Sequence, residues 1–448
     1  MAQLPFAAII LAAGQGTRMK SSTHKVLHPV AGKPMLHHLI DRVAELGAER
    51  IVVVVGALSE QVEASVAGMG VTIAHQAEQL GTGHAVAQAE QALAGFEGIV
   101  LILYGDVPLV QADTMARMIE ALDANPALRA IVLGFRPDAP GAYGRVIAAP
   151  DGLIEKMVEA KDANPEELEV RMCNTGMMAV RAPEMFDLLR QIGNDNAAGE
   201  YYLPDIVMLP GRRSGFTEAE PWEAMGVNNR VELAAVEKTW QADRRWRAQV
   251  EGVTLTDPDS VFFAADTVLG RDVTIGPNVV FGLGVTVADN VTIHSFSHIA
   301  GATIGEGAEI GPFARLRPGA VLGAKAKVGN FVEIKQAVLG AGAKANHLSY
   351  IGDADVGAGA NIGAGTITCN YDGFFKYRTQ IGAGAFIGSN TALVAPVSIG
   401  AGALIGAGSV ITRDVAADAV AVARGEQLEK PGRAAKFREV MAARKKKS

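Results

Sequence analysis

From about residue 263 to 411 an aliphatic residue, usually followed by glycine, recurs every six positions. Leu269, Ile275, Phe281, Val287, Ile293 and Ile299 form one run; Ile304, Ile310, Leu316, Leu322, Val328 and Ile334 form a second; Ile381, Ile387, Leu393, Ile399, Ile405 and Ile411 form a third. A helix repeats its apolar face every ~3.6 residues and a strand every ~2, so a period of six belongs to neither alone. It fits a solenoid in which each hexapeptide is one short strand plus a turn. The 51 glycines and the low aromatic content of 6% suit such tightly turned backbone. The repeat slips by one residue after Ile299, Ile334 and Ile351, and is interrupted once, between Ile362 and Ile381, by GAGTITCNYDGFFKYRTQ. That segment is too long for one coil and holds the densest aromatic cluster of the chain. Excursions from a regular scaffold are where function concentrates.

At 448 residues the chain exceeds a single core. Residues 1–229 alternate strand and helix. AAIILAAG is a continuous apolar run, the signature of a parallel strand covered on both faces. PMLHHLIDRVAELGA opens on Pro34 and closes at Gly47 as a helix. RIVVVVG is a second strand, GTGHAVAQAEQALAG a second helix and GIVLILYGD a third strand. This order predicts an α/β, Rossmann-like doubly wound sheet with its site beyond the carboxyl ends of the strands. Residues 230–250 read as a linker helix, with Leu233, Val236, Trp240 and Val250 on one stripe. Residues 251–448 form the solenoid with a basic tail.

Several classes are disfavoured. A net charge of −7 does not call for nucleic acid. Cys173 and Cys369 are far apart, which argues against a disulfide scaffold or thiolate metal site and fits a reducing compartment. The apolar stretch Phe6–Ala13 has no basic segment before it and reads as a strand, not a signal peptide. No run of ~18 apolar residues exists, so no membrane span is expected. A cytoplasmic, soluble protein is the expectation. The terminal AARKKKS, with Lys445, Lys446 and Lys447, reads as a frayed solvated tail that could otherwise add phosphate attraction.

LAAGQGTRMKS follows the first strand directly. Gly14 and Gly16 let backbone approach a phosphate, and turn amides supply donors. The loop lacks the Gly-Lys-Ser/Thr of a P-loop, and Met19 stands where the third glycine of a dinucleotide fingerprint would be. Arg18 and Lys25 add two cations suited to a triphosphate. In YGDVPL, Asp106 ends the third strand. There it is either a carboxylate for a hard metal or a helix cap before the turn at Pro108.

LAAGQGTRMKS, HKVLHPVAGKPML, GTGHA and YGDVPL together resemble the sugar-phosphate nucleotidyltransferases, and GAYGRVI, VEAKDA, CNTGMM and GVNNR extend the match. With the solenoid added, the chain from Ala7 to Arg424 resembles the bifunctional N-acetylglucosamine-1-phosphate uridyltransferase / glucosamine-1-phosphate N-acetyltransferase family, whose solenoid is a left-handed parallel β-helix. The resemblance implies that Leu11, Ala12, Ala13, Gly14 and Lys25 hold UTP and that Gln76, Gly81 and Thr82 read uracil. Tyr104, Gly105 and Asp106 belong to the same site by this resemblance, which assigns Arg18 to phosphate charge and Asp106 with Asn228 to Mg²⁺. It further assigns Gly144, Glu159 and Asn174 to the N-acetylglucosamine. The implied reaction is in-line attack of the sugar phosphate on the α-phosphorus of UTP, releasing pyrophosphate, and the product would feed peptidoglycan and lipopolysaccharide synthesis.

Hexapeptide solenoids serve acyltransferases, inert stacking domains and one kind of carbonic anhydrase, and the histidines help to separate these. His294 and His298 stand four apart in HSFSH, and His347 stands alone in ANHLSY. A three-histidine zinc site would need the two groups to meet across a subunit boundary. The surrounding acidic and glutamine pattern is missing, so His294 and His298 read as structural or solvent-facing. His347 sits at a slip in the repeat, after Arg317 and Lys335 and close before Tyr350. Acetyl transfer to an amine needs a base that titrates near neutrality, which imidazole supplies. The family resemblance implies that His347 is this base, that Arg317 and Lys335 grip the phosphate of glucosamine-1-phosphate, and that Tyr350 and Asn361 hold the sugar. Ala364, Asn370, Tyr371, Ser389, Ala407 and Arg424 would line the acetyl-CoA groove, in sites assembled between the solenoids of a homotrimer. Asn346 and Gln336 stand where the family also carries glycine and lysine.

Three rivals stay open on sequence: a uridyltransferase with an inert solenoid, a non-enzymatic scaffold, and the same fold pair acting on another hexose.

Overall fold

A computed structural model describes residues 5–196 and 198–446. The chain forms two compact units that divide between Arg244 and Arg245, inside one helix, Arg230–Val250.

The first unit follows from strands that are apolar on both faces. Along Phe6–Ala12, the side chains of Ala8, Ile10 and Ala12 enter one core, and those of Ala7 and Ile9 enter another. A strand buried on both sides needs helices on both sides. Met35–Glu45 and Ala112–Asp123 cover one face through Leu36, Leu39, Met115 and Met118. Thr82–Ala87 and Ala182–Leu189 cover the other through Ala85, Val86, Met185 and Leu188.

The strands lie in the order Gly215–Ala219, Ala130–Phe135, Cys173–Arg181, Ile99–Tyr104, Phe6–Ala12, Arg50–Val55 and Thr72–His75. Along this path only Cys173–Arg181 is antiparallel to its neighbours. The carboxyl ends of the other strands therefore share one edge, where the loops that follow them gather. The helix expected over GTGHAVAQAEQALAG is regular only for Thr82–Ala87. Beyond it the chain proceeds by tighter turns, such as Ala89 N–H to Val86 O at 3.0 Å, which still bury Ala89 and Leu93.

The second unit is a three-sided parallel β-helix. One side is a sheet of ten short strands running from Thr254–Leu255 to Val420–Ala421. Coils thus begin before residue 263 and continue past 411. The regular step is 18 residues, as from Thr274 to Thr292, whereas the first step, Thr254 to Thr274, takes 20 and the last, Leu404 to Val420, takes 16. Irregular end coils break the six-residue pattern, which is why the sequence understates the length. Each strand points one aliphatic residue inward, as Ile275, Ile293, Ile310 and Val328 do at 0–1% exposure. Full burial of such a side chain stabilises the coil by about 1.5–3 kcal/mol.

The one-residue slips after Ile334 and Ile351 are corners, not defects. Glu333–Leu339 and Tyr350–Val356 are single strands that bend from one side to the next, with Gln336 (φ 47) and Asp353 (φ 46) left-handed at the bend. The excursion lengthens one coil to 25 residues, from Asn361 to Phe386. At the C-terminus the basic stretch expected to fray is helical over Arg433–Lys445, with every side chain exposed. Lys447 lies outside the described residues.

Candidate active sites

In the first unit, loops at the carboxyl edge of the sheet enclose a cavity of about 280 Å³. Leu11, Ala12, Ala13 and Gly14 line it at the end of the first strand, with Lys25, Gln76, Gly81, Thr82, Tyr104 and Asp106. Gly105 lies beneath, its N–H donating to Leu11 O at 2.9 Å. A Cβ there would stand 3.0 Å from that oxygen and 3.1 Å from Val26, so a side chain would force one of them to shift.

The two loop glycines differ in role. Gly14 has open space where a Cβ would go, as a phosphate approach requires. Gly16 is left-handed (φ 61), and a Cβ on it would stand 2.7 Å from that of Lys25, so it makes room for the lysine stem. The Lys25 ammonium donates to the Asp106 carboxylate and lies 3.5 Å from Asn228 Oδ1, which accepts from Arg18 Nη2 at 2.9 Å. Asp106 therefore does not cap a helix: the next one is preceded by Gln111. Two cations and two oxygen donors, brought from four places in the chain, meet at one edge of the cavity. Gln76 donates to Gly81 O at 3.1 Å, fixing the turn before Thr82.

The residues fit a magnesium ion by donor type. Asp106, in the cavity lining, and Asn228, across Lys25 from it, offer hard oxygens. Among the described residues no group of three or more His, Cys, Asp or Glu side chains is placed to hold a metal. Mg²⁺ commonly takes one or two protein oxygens and completes its shell with phosphate and water.

A second cavity of about 340 Å³ shares Thr82, Tyr104 and Glu200 with the first. Gly144, Glu159 and Asn174 all line it. Asn174 N–H donates to Gly144 O at 2.8 Å, and a Cβ on Gly144 would stand 3.1 Å from Glu159 Oε1. Burial, with Asp162 and Asp205 nearby, raises the Glu159 carboxyl above its ordinary range. Burial likewise pushes the Tyr104 phenol up, so it stays a neutral hydrogen-bonding group.

In the solenoid the expected residues sort onto stacked corners. His347, Ala364, Ser389 and Ala407 each stand two residues after a buried strand residue of the ten-stranded side, namely Ala345, Ile362, Ile387 and Ile405. Those strands pair in register, so the four residues form one column. Ala423 stands at the next place in the column, and Arg424 just beyond it donates to Ala407 O at 2.7 Å. His347 is exposed, its Nδ1 2.7 Å from Asn330 Oδ1.

Arg317 and Lys335 stack on a different corner, one residue beyond the paired Leu316 and Ile334. Arg317 donates to Glu333 Oε1 at 2.8 Å. Lys376, from the excursion, lies beside Lys335, and its ammonium holds Lys335 below the usual lysine range, with lesser contributions from burial and Arg317. Three cations are thus gathered at one corner. Tyr350 faces outward from the strand paired with Glu333, and Asn361 from the strand paired with Lys344. Within one chain His347 and Lys335 flank opposite ends of the Tyr350–Gly352 stretch.

The excursion is a tied hairpin. Asn370 is buried and donates to Asp353, Tyr377 N–H returns to Asn370 O at 2.9 Å, and Tyr371 is 60% exposed. His294 Nε2 lies 3.1 Å from Glu309, which also accepts from Lys327 at 2.6 Å, a ladder of surface charges. His298 faces outward between Val280 and Arg315.

Comparison with known proteins agrees with both halves. Residues 8–170 match the MobA-like NTP transferase domain, and residues 266–301, 301–336 and 378–413 match the bacterial transferase hexapeptide model of six repeats. Proteins called bifunctional protein GlmU match along almost their whole length. The one from Sphingopyxis alaskensis is 60% identical over 99% of this chain and 98% of its own. That from Rhizorhabdus wittichii is 64% identical over 99% of both, and that from Zymomonas mobilis 55% identical over 100% of this chain and 99% of its own. The chain belongs to the GlmU family. It is an enzyme with two transferase modules, a nucleotidyltransferase followed by a hexapeptide acetyltransferase on a left-handed β-helix.

Placed on this GlmU-family chain, the geometry adds residues that the motifs did not reveal. Gln79 donates to Ala13 O at 2.6 Å across the first cavity, and Glu200 lines both cavities. Tyr202 lines the second. The stretch GEYYLPD, acidic and aromatic between turn-formers, was the available signal. Glu333 and Lys376 were hidden because solenoid neighbours are one coil or more apart in space and 16 or more residues apart in sequence.

Proposed function

We propose that this enzyme makes UDP-N-acetylglucosamine in two steps, with residues 1–229 as the uridyltransferase, 230–250 as a linker and 251–448 as the acetyltransferase. The observation that carries the reading is one chain holding both a cavity of about 280 Å³ lined by Lys25 and Asp106, with Arg18 and Asn228 bonded beside them, and an exposed histidine on a solenoid that also gathers three cations.

In the solenoid, Arg317, Lys335 and Lys376 bind the phosphate of glucosamine-1-phosphate, and Tyr350 and Asn361 orient the sugar. His347 takes a proton from the amine as its nitrogen attacks the thioester carbonyl of acetyl-CoA. The C–N bond forms, the C–S bond breaks, and the proton returns to the departing thiolate. Ala364, Asn370, Tyr371, Ser389, Ala407 and Arg424 carry the donor. As the family resemblance implies, each site is completed by a neighbouring copy and a homotrimer is the working form.

In the first unit, Gln76, Gly81 and Thr82 position uracil while Leu11–Gly14, Lys25 and Arg18 hold the triphosphate. Gly144, Glu159 and Asn174 hold N-acetylglucosamine-1-phosphate, with its phosphate oxygen in line with the α-phosphorus. A new P–O bond forms as the bond to pyrophosphate breaks; positioning and charge neutralisation supply the rate. Asp106 and Asn228 would hold Mg²⁺, which when bound neutralises charge shared between the two substrates.

The product serves peptidoglycan and lipopolysaccharide synthesis, and the enzyme works in the cytoplasm on small molecules. No helix among the described residues is long and apolar enough to cross a membrane. An assay with glucosamine-1-phosphate, acetyl-CoA, UTP and Mg²⁺, omitting each in turn, tests the reading. UDP-N-acetylglucosamine is expected only when all four are present; its formation without acetyl-CoA would overturn the two-step order.

A further inference from the structure

We infer that Asn330 is a positioning residue for acetyl transfer, selecting the tautomer of His347 that leaves Nε2 free as the base. This rests on the acetyltransferase reading of His347. Asn330 ends the Lys327–Asn330 strand, and its partner in the next coil is His347. Its side-chain carbonyl lies 2.7 Å from His347 Nδ1, and its backbone carbonyl accepts from Leu348 N–H at 3.0 Å. One residue thus holds both the ring and the turn that carries it, at a place where Leu348 is left-handed (φ 49). The His347 carbonyl is fixed from the other side, accepting from Ser349 Oγ at 2.9 Å.

An amide oxygen can only accept, so the ring nitrogen facing it carries the hydrogen. The lone pair then sits on Nε2, which has no hydrogen-bond partner among the described residues. The tautomer of a histidine is set by the bond its other nitrogen makes. A neutral amide does this without adding charge to an exposed corner that already faces anionic substrates.

The test compares Asn330→Ala and Asn330→Asp with His347→Ala in separate acetyltransferase and uridyltransferase assays on the full chain. Asn330→Ala should lower kcat for acetyl transfer on the order of 10-fold or more, a part of the ~10²–10⁴-fold that a general base supplies. KM for glucosamine-1-phosphate, uridyl transfer and thermal unfolding should stay unchanged. Asn330→Asp keeps the acceptor, so it should retain most of kcat while the acidic limb of its pH profile moves up by about one unit, because a carboxylate favours the imidazolium. Wild-type kcat in Asn330→Ala, or an unmoved pH limb in Asn330→Asp, would overturn the inference while leaving His347 as the base. Full acetyl transfer in His347→Ala would instead overturn the reading on which it rests. If Asn330→Ala unfolds, the pH limb of Asn330→Asp decides alone.

Discussion

The first unit gathers its site from distant segments into a cleft, whereas the solenoid spreads its site along exposed corners. Lys25, Asp106 and Asn228 meet because parallel strands deliver their loops to one edge. His347, Ala364, Ser389 and Ala407 line up because each coil repeats the one before it. The difference has consequences for tolerance. In the cavity each group leans on another, so a Cβ at Gly105 or Gly144 would press on its neighbours at 3.0–3.1 Å and one at left-handed Gly16 would collide with Lys25 at 2.7 Å. On the corners most groups face solvent; Gly359 and Gly384 leave open space for a Cβ, but their left-handed backbone (φ 67 and 66) keeps them glycine. Burial beside the second cavity raises the Glu159 carboxyl, as charges are less screened there than in water. The open corner instead gathers charge by number, with Arg317, Lys335 and Lys376 together.

The contrast can be broken by four measurements. The largest effect is expected for His347→Ala, which should cut acetyl transfer by ~10²–10⁴-fold and leave pyrophosphate release from UTP intact. Loss of both activities would mean that the two sites are not separate. The reciprocal variant, Asp106→Asn, should cost uridyl transfer on the order of 10²-fold, as the loss of a charge-stabilising group does. Acetyl transfer should be untouched and the Mg²⁺ requirement of the remaining uridyl transfer raised, as a magnesium titration would read.

A smaller effect is expected for Gly144→Ala, which presses a methyl against Glu159 at 3.1 Å. Displacing that carboxylate should raise KM for N-acetylglucosamine-1-phosphate roughly 10-fold, the scale of one disturbed hydrogen bond. An unchanged KM would show that the cleft does not make the first unit less tolerant. The smallest concerns Lys376→Ala. Removing this like charge lets Lys335 keep its proton to higher pH. The alkaline limb of acetyl kcat/KM should move up even as binding at neutral pH weakens several-fold, in keeping with one charge-assisted contact. A limb that stays in place would separate Lys376 from the phosphate corner.

Much of this was legible beforehand because the relevant physics is local. The six-residue period sets strand and turn within each hexapeptide. Continuous apolar runs such as AAIILAAG demand cover on both faces, and the slips at Ile334 and Ile351 mark corners, each from a few neighbouring residues. The end coils escaped, since steps of 20 and 16 residues leave no period to detect. Only the tertiary structure decided that Asp106 meets Lys25 and caps no helix, and that Gly16 serves the lysine stem. It also decided that Lys376 reaches Lys335 and Asn330 reaches His347. Those contacts join residues 9 to 81 positions apart, as from Gly16 to Lys25 and from Lys25 to Asp106. Periodicity and composition carry no record of such pairings, which arise only when strand register and coil stacking bring the side chains within reach.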